Sequence, residues 1–380
     1  MKKSAAEMEG GGNGGEEGWD SADAAGRLLA WYDERARELP WRENQDPYRV
    51  WISEIMLQQT RVETVIPYFR RFLDRFPYVE DLARAPLEDV LTLWSGLGYY
   101  RRARQLHSAA QEIAARGSFP STAQELQQLP GIGAYTSAAV ASIAFGEAVA
   151  VVDGNVERVM ARMLSLEVDP KRAAGQRSIR SAATRLVDEK RPGDSNQALM
   201  ELGATVCLPR RPKCTDCPVT GECSARVSGR QEEFPVKKAR RAPILVYRKA
   251  VLVSDEERIL LVRRSDASEL LAGMWELPWV EAKGEEKAEG AQRELEAQLV
   301  ANYGGRWTVG NQVAEVRHAI THRAIRVAVF EAKLEAGAEV RESVPCRWVL
   351  PADIKELPTP AVVGKILRAC DLESAQGKLF

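Results

Sequence analysis

The spacing of apolar residues changes once along this chain, and this change limits the possible folds more than any other feature. Within residues 22–230 apolar side chains recur every three or four positions, as at Val65, Phe69 and Phe72. This is the period of an amphipathic helix. From Val251 onward the apolar residues form short runs typical of strands. We therefore predict a multidomain protein with an all-α domain followed by an α+β domain.

The length of 380 residues allows two such domains and further segments. The start of the chain is rich in Gly and Glu and lacks the apolar region of a signal peptide. Residues 231–245 contain two prolines and a basic run at 237–241, and this run is interpreted as part of a solvated linker rather than as a localisation signal or a DNA contact. The predicted divisions are a disordered tail at 1–21, a helical domain at 22–230, a linker at 231–245, an α+β domain at 246–370 and a tail at 371–380.

The charge balance excludes one class of function. The chain has 53 Lys and Arg against 54 Asp and Glu, which gives a formal net charge of -1. A protein that coats nucleic acid through bulk positive charge is therefore excluded, and any DNA contact must use local patches and backbone amides. The chain also lacks an uninterrupted stretch of the roughly 20 apolar residues that a membrane helix needs. We expect no membrane association and a cytoplasmic or nucleoid location.

Four of the six cysteines lie within one short segment, at Cys207, Cys214, Cys217 and Cys223. Four thiolates in such a segment can ligate one tetrahedral metal ion or one iron–sulfur cluster. A structural zinc site usually has two C-x-x-C pairs, and this segment has one, so the spacing leaves both possibilities open. The other two, Cys346 and Cys370, are expected to be buried thiols.

Residues 129–136 read Leu-Pro-Gly-Ile-Gly-Ala-Tyr-Thr between two amphipathic segments, which predicts a helix-hairpin-helix. Gly131 and Gly133 permit a tight turn and let amides at the start of the second helix approach a DNA phosphate. An ordinary turn between helices with a glycine cap is the alternative. The motif by itself predicts only DNA binding without sequence preference.

Two carboxylates are candidates for catalysis. Glu54 lies in a strip from Trp51 to Leu57 that is otherwise apolar except for Ser53, where burial would raise its pKa and make it a proton donor near neutral pH. A surface Glu on an amphipathic helix is the simpler alternative. Asp153 follows the apolar run 148–152 and precedes a predicted helix, where an N-cap is the simplest role. Its position directly after the hairpin element favours a functional role.

Together these motifs resemble the helix-hairpin-helix DNA glycosylase superfamily, and within it the adenine DNA glycosylases of the MutY type. The similarity covers about residues 22–370 and also includes the strings at 39–42, 53–62 and 96–100. It implies a monomeric hydrolase of N-glycosidic bonds that flips out adenine mispaired with 8-oxoguanine or G in double-stranded DNA and initiates base excision repair. It also implies that the four clustered cysteines bind [4Fe-4S].

The resemblance further implies roles for individual residues. Glu54 would protonate the adenine and Asp153 would stabilise the cationic sugar, with Tyr135 and Asn155 lining the reaction centre. Lyase relatives such as endonuclease III carry a Schiff-base lysine where Tyr135 stands, so we expect a monofunctional glycosylase. The remaining implied contacts are Arg37, Trp41, Arg42 and Gln197 with adenine, Tyr99 with the base stack, Gln59 near the opposing lesion, and Gly131 and Gly133 with phosphate.

The C-terminal domain resembles the Nudix hydrolase fold through residues 273–278 and 293–298. A working Nudix box has two glutamates where Ala297 and Gln298 stand, and these glutamates hold Mg²⁺. We therefore expect a domain that reads 8-oxoguanine and does not hydrolyse nucleotides.

In the family a Phe-Ser-His loop reads the lesion, and the corresponding string here is Ile320-Thr321-His322. Thr321 keeps the hydroxyl that can hydrogen-bond to 8-oxoguanine, His322 is retained, and Ile320 replaces the aromatic residue.

Two other functions fit parts of the sequence. A pyrimidine-lesion glycosylase with lyase activity would share the superfamily motifs but needs a lysine in the hairpin. A non-catalytic DNA-binding protein with a structural or redox-sensing cluster would not depend on Glu54 or Asp153.

Overall fold

A computed structural model describes residues 20–236, 242–268, 270–282, 284, 291–320, 322–335 and 338–372. Most of the two predicted tails and the whole basic run 237–241 lie outside these ranges. The described residues form two compact units, one drawn from Met1–Gln58 and Ala115–Ala239, and the other from Gln59–Ala114 and Arg240–Phe380. They are called the first and second units below.

The elements follow one another in the order that the periodicity predicts, helices before strands. The helices are α1 (Ser21–Arg35), α2 (Pro47–Leu57), α3 (Val62–Arg75), α4 (Val79–Arg84), α5 (Leu87–Leu93), α6 (Arg101–Arg116), α7 (Ala123–Leu126), α8 (Ala134–Phe145), α9 (Gly154–Met163), α10 (Ala173–Thr184), α11 (Pro192–Thr205), α12 (Ser224–Val227), α13 (Ala291–Tyr303) and α14 (Ala361–Ala369). Short 3-10 helices lie at Pro40–Arg42, Cys214–Asp216 and Pro351–Glu356. The strands are β1 (Ile244–Asp255), β2 (Arg258–Arg263), β3 (Trp275–Glu276), β4 (Trp279–Ala282), β5 (Trp307–Ile320), β6 (Arg323–Leu334) and β7 (Cys346–Val349). Within the described ranges, no helix is both long and apolar enough to cross a bilayer.

The first unit is helical and is built around α11, which packs against α1, α8 and α9. Leu199 and Leu202 of α11 and Met160 of α9 are fully buried in this core. Helix α8 consists largely of small apolar residues, so neighbouring helices can approach it closely. α2 and α7 also pack against α8, which brings the Glu54 helix and the hairpin motif together.

The second unit combines helices α3 to α6 with a mixed sheet and helices α13 and α14. The sheet has the order β3-β2-β1-β6-β5, with β4 pairing with β1 and β7 pairing with β2. β1 and β6 are parallel, whereas the other pairs are antiparallel. The predicted hairpin is present between β1 and β2, with Ser254 opposite Ile259. The predicted combination of an all-α part and an α+β part is confirmed.

One prediction about the second unit is wrong. Cys346 is exposed rather than buried, and Cys370 is partly buried. Cys346 begins β7, which pairs only with β2 among the described strands, and the first two residues of this strand are exposed. A residue at the end of such an edge strand has no second layer to cover it.

Candidate active site

Glu54 is buried in the first unit although it carries an ionisable group. Asp46 caps the start of α2 by accepting a hydrogen bond from the Arg49 amide at 2.8 Å. About two turns after the start of α2, the Glu54 side chain is only 5% exposed, next to the buried Ile55. Burial raises the pKa of Glu54 to about 7, and the negative charge of Asp153 adds to this increase. A pKa in this range is the property that the sequence interpretation expects of a proton donor at this position.

Tyr135 lies in the first turn of α8 and its hydroxyl donates a hydrogen bond to Oε2 of Glu54. Burial holds the pKa of Tyr135 well above its ordinary value, with Glu54 and Asp153 contributing further. The phenol therefore stays neutral and acts as a donor. Beside this contact Nε2 of Gln58 donates to Oγ1 of Thr136 at 3.1 Å, which ties the end of α2 to the start of α8.

Asp153 is the N-cap of α9. Its Oδ1 accepts from the amides of Asn155 and Val156 at 2.8 and 2.7 Å, and Oδ2 accepts from Nδ2 of Asn155 at 2.9 Å. Burial raises the pKa of Asp153, whereas these three donors and Arg158 favour the anion. The N-terminus of α9 also favours negative charge. The N-cap alternative is thus correct as local structure, and it leaves Asp153 close enough to Glu54 and Tyr135 to raise the pKa of both.

The sequence interpretation missed Arg158, which fixes the side chain of Asn155. Nη2 of Arg158 donates to Oδ1 of Asn155 and to the carbonyl of Gly203, both at 2.8 Å. Nε of Arg158 donates to the carbonyl of Cys207 at 2.8 Å. Because Oδ1 of Asn155 accepts from Arg158, Nδ2 of Asn155 is directed to Asp153. The spacing of three residues between Asn155 and Arg158 on one helix is the only sequence signal for this contact.

The sequence interpretation also missed Glu201, which holds two of the predicted adenine contacts. Nε of Arg37 donates to Oε1 of Glu201 at 2.6 Å, and Nη2 of Arg42 donates to Oε2 at 2.9 Å. Glu201 is 1% exposed. Burial would raise the pKa of Glu201, but the hydrogen bonds and charges of the two arginines outweigh it, and the pKa is lowered.

Trp41 and Gln197 lie near this ion pair along the chain. Trp41 is buried in the 3-10 turn Pro40–Arg42, and Gln197 is partly buried on α11, one turn before Glu201. The first unit therefore brings the predicted catalytic residues together and carries the predicted adenine contacts on the neighbouring turn and helix.

The hairpin has the backbone that its glycines predict. Gly131 has a φ of 75°, in the left-handed region, and Gly133 is the extended N-cap of α8. A Cβ at Gly133 would meet nothing within 4 Å, so space is open in front of the first amides of α8. These amides have no acceptor within their own helix, which is the property that a phosphate site requires.

The four clustered cysteines are free thiols in the loop after α11. Burial raises the pKa of Cys217 to about 12, and the charges of Cys207, Cys223 and Cys214 contribute further. The fully buried Arg162 donates from Nη1 to the Cys207 sulfur at 3.2 Å. In the part of the chain that the structure describes, no group of three or more His, Cys, Asp or Glu side chains is arranged for a single metal ion.

The other predicted contacts belong to the second unit. Gln59 is exposed with a φ of 59°, and Tyr99 is 45% exposed with a φ of 50°. His322 is exposed at the end of the β5–β6 hairpin, where Ile320 pairs with Arg323. Thr321 lies outside the described residues.

Comparison with known proteins identifies the family of the helical part and of the C-terminal part of this chain. Residues 52–183 match the HhH-GPD superfamily of base excision DNA repair proteins, and residues 249–369 match the NUDIX domain. The chain is 37% identical to the human (Homo sapiens) adenine DNA glycosylase, over 90% of this chain and 73% of the human protein. The chain belongs to the adenine DNA glycosylase family. The rat (Rattus norvegicus) adenine DNA glycosylase is 36% identical over 90% of this chain and 76% of the rat protein.

Among solved structures, a thermostable thymine-DNA glycosylase is similar with a TM-score of 0.50 and 29% identity, over 55% of this chain and 97% of that chain. Membership of the adenine DNA glycosylase family makes this chain a DNA-binding repair enzyme that hydrolyses the N-glycosidic bond of adenine in base excision repair. The C-terminal part is Nudix-like.

Proposed function

We propose that this enzyme is a monofunctional glycosylase that removes adenine paired with 8-oxoguanine, and also adenine paired with G. The observation that supports the chemistry most strongly is the group formed by the buried Glu54 and the partly buried Tyr135 and Asp153. Its two carboxylates differ in surroundings, since Glu54 has one hydrogen-bond donor and Asp153 has three. Different surroundings are what assign acid and anion roles to a pair of carboxyl groups.

Glu54 supplies the proton. With a pKa of about 7, a large fraction of Glu54 is protonated at neutral pH. Tyr135 donates to Oε2, so the acidic proton is carried on Oε1 and can be given to a ring nitrogen of the flipped adenine. Protonation makes the base a better leaving group as the bond between the sugar and the base breaks.

Asp153 stabilises the positive charge that develops on the sugar when the base leaves. Its three hydrogen bonds favour the anionic form, against the burial that raises its pKa, and they fix both of its oxygens. Stabilisation is either electrostatic or through a bond from the carboxylate to the sugar carbon. Water then adds its hydroxyl to that carbon, which breaks the bond to the carboxylate where one has formed, and a carboxylate takes up the remaining proton.

The hairpin position occupied by Tyr135 explains the proposed lack of strand cleavage. A phenol cannot form a Schiff base with the opened sugar, whereas a lysine can. The hydroxyl of Tyr135 is instead used to hold Glu54.

Arg37 and Arg42, with Trp41 and Gln197, are proposed to bind the flipped adenine. Glu201 holds both guanidinium groups in place. Because the partner carboxylate is almost fully buried, the arginines are positioned before the base arrives, which lowers the cost of binding.

The C-terminal domain is proposed to read 8-oxoguanine through Thr321 and His322, with Gln59 near the lesion. The two glutamates within residues 293–298, the segment that resembles a Nudix box, form hydrogen bonds with other groups of the protein. Oε1 of Glu296 accepts from the Val309 amide at 2.8 Å, and Glu294 accepts from Nε2 of Gln298 at 3.1 Å. These contacts support a binding domain rather than a hydrolase.

The loop with Cys207, Cys214, Cys217 and Cys223 is proposed to bind [4Fe-4S]. Four neighbouring thiols are the donor set of such a cluster. The exposed basic residues Arg210, Arg211 and Lys213 in this loop would then contact DNA phosphates. Absorption near about 400 nm from thiolate-ligated iron is expected in the purified protein, and its absence would contradict the assignment.

The proposed function is tested by incubating the full chain with a duplex containing A opposite 8-oxoguanine. We expect free adenine and an abasic site that breaks only after alkali. Glu54→Gln and Asp153→Asn should each abolish release while lesion-duplex binding persists. Release that is unchanged in both variants would contradict the catalytic assignment, and strand breaks without alkali would contradict the monofunctional one.

A further inference from the structure

Residues 95–100, called here the insertion loop, present an exposed aromatic ring from a rigid backbone. Gly96, Gly98 and Tyr99 have φ values of 100°, 72° and 50°. A left-handed tyrosine is a strained conformation that the surrounding structure must enforce. Tyr99 is nevertheless 45% exposed, so the loop holds a large aromatic side chain in solvent. Such a side chain is suited to insertion between DNA bases.

Contacts within the helical part of the second unit hold one side of the insertion loop. Nε1 of Trp94 donates to the Gly98 carbonyl at 3.1 Å, and Nη2 of Arg102 donates to the same carbonyl at 3.2 Å. The Arg102 guanidinium lies 5.4 Å from the centre of the Tyr99 ring. The hydroxyl of Tyr68 donates to the Ser95 carbonyl at 2.8 Å.

The other side of the loop is held by the C-terminal domain. The hydroxyls of Ser95 and Tyr100 both donate to the backbone carbonyl of Thr359, at 3.0 and 3.2 Å. The Tyr100 hydroxyl also accepts from the Gly96 amide at 3.3 Å. One carbonyl therefore binds both ends of the loop that carries Tyr99.

The segment that supplies this carbonyl is itself rigid. Thr359 lies between Pro358 and Pro360, whose rings restrict the backbone. The Trp275 amide donates to the Pro358 carbonyl at 2.9 Å, which attaches the segment to β3, and Pro360 is the N-cap of α14. The position of the carbonyl is thus set by the Nudix-like domain.

We propose that the Thr359 carbonyl, through Ser95 and Tyr100, sets the geometry in which Tyr99 enters the DNA, so that the C-terminal domain controls base flipping as well as lesion reading. Ser95 and Tyr100 are positioning residues in this inference, because they act through Tyr99. The inference rests on the proposed function. It extends that function by assigning the C-terminal domain a second way to act on the mispair.

The test uses the full-length protein and a duplex with 2-aminopurine opposite 8-oxoguanine, whose fluorescence rises when the base leaves the stack. Ser95→Ala removes one hydroxyl donor to the Thr359 carbonyl, and Tyr100→Phe removes the other together with the acceptor of the Gly96 amide. Each should lower the unstacking equilibrium by a factor of about 2 to 10, the usual net effect of one hydrogen bond. Thr359→Ala keeps the backbone acceptor and should behave as the wild type, which makes it the matched control.

A second control and a double-mutant cycle separate positioning from general stability. Glu335→Gln weakens the 3.3 Å ion pair with Arg306 in the same unit without touching the insertion loop or the segment around Thr359, and it should leave unstacking unchanged. In a Tyr99→Ala background, Tyr100→Phe should have no further effect on unstacking.

The inference would be overturned if Tyr100→Phe and Ser95→Ala caused no loss of unstacking. It would also be overturned if Tyr100→Phe caused the same loss in the Tyr99→Ala background as in the wild type. A wild-type protein that fails to unstack the base would also overturn it. If the wild type unstacks 2-aminopurine but releases no adenine, the proposed chemistry fails and the positioning inference stands.

Discussion

Replacing Glu54 by Gln should stabilise the protein at alkaline pH while it removes the catalytic acid. The carboxyl has a pKa of about 7 in the folded protein against an ordinary value of 4.5, so the folded state binds its proton more tightly than the unfolded state. The favourable contribution of this group is present below pH 4.5 and is lost as the pH rises through 7. At about 1.4 kcal/mol for each pKa unit, the loss reaches roughly 3 kcal/mol in the alkaline range.

Thermal unfolding of the wild type and of Glu54→Gln at pH 4 and at pH 8 measures this effect. We expect nearly equal melting temperatures at the acidic pH and a higher value for the variant at the alkaline pH. The difference should be several degrees, because 1 kcal/mol shifts the melting temperature of a domain of 150–250 residues by about 2–4 °C. Gln keeps an oxygen that accepts the hydrogen bond from Tyr135. A variant that is equally stable or less stable than the wild type at both pH values would contradict a raised pKa of Glu54 in the folded protein.

The other predictions concern neighbouring residues of the same unit. Glu201→Gln should destabilise the protein by roughly 2 kcal/mol at neutral pH, because the lowered pKa of Glu201 reflects its pairing with arginines. The difference in stability between wild type and variant should shrink below pH 4.5. Melting curves at several pH values measure this difference, and a difference that grows below pH 4.5 would contradict the prediction. Tyr135→Phe removes a hydrogen bond that lowers the pKa of Glu54. The pH above which single-turnover adenine release declines should therefore rise by about one pH unit or more. A decline that begins at a lower pH than in the wild type would contradict this prediction. Gly203→Ala places a Cβ 2.5 Å from the Cβ of Asn155. The clash should lower the free energy of unfolding by about 1–3 kcal/mol and slow adenine release, as measured by melting and single-turnover assays. Wild-type values in both assays would show that α9 and α11 can move apart without cost.

Much of the site was accessible from the sequence because its signals are local. The burial of Glu54 follows from the apolar residues around it on one helix, and the structure confirms it at 5% exposure. The hairpin follows from glycines whose positive φ or extended backbone a short motif can specify, as at Gly131 and Gly133. The N-cap role of Asp153 follows from the helix that begins directly after it.

Contacts between distant segments were not accessible in this way. Tyr135 and Glu54 are 81 residues apart, and Arg37 and Glu201 are 164 residues apart. No periodicity links such positions, because each helix pattern specifies only which face is buried and not which neighbour covers it. Glu201 was missed for this reason, and the burial of Cys346 was predicted wrongly because exposure at a strand end depends on the next layer.

The order of helices and strands, the family motifs and the residues able to act as acid, anion and thiolate ligands can be read from the sequence, because they depend on local spacing and side-chain chemistry. Tertiary structure decided the protonation of those residues and their partners. The pKa of Glu54 is set by burial, by the Tyr135 hydroxyl and by the charge of Asp153, and these come from three separate helices. Electrostatic energy depends on distance through space and on the exclusion of water, which only the packing of α2, α8 and α9 establishes.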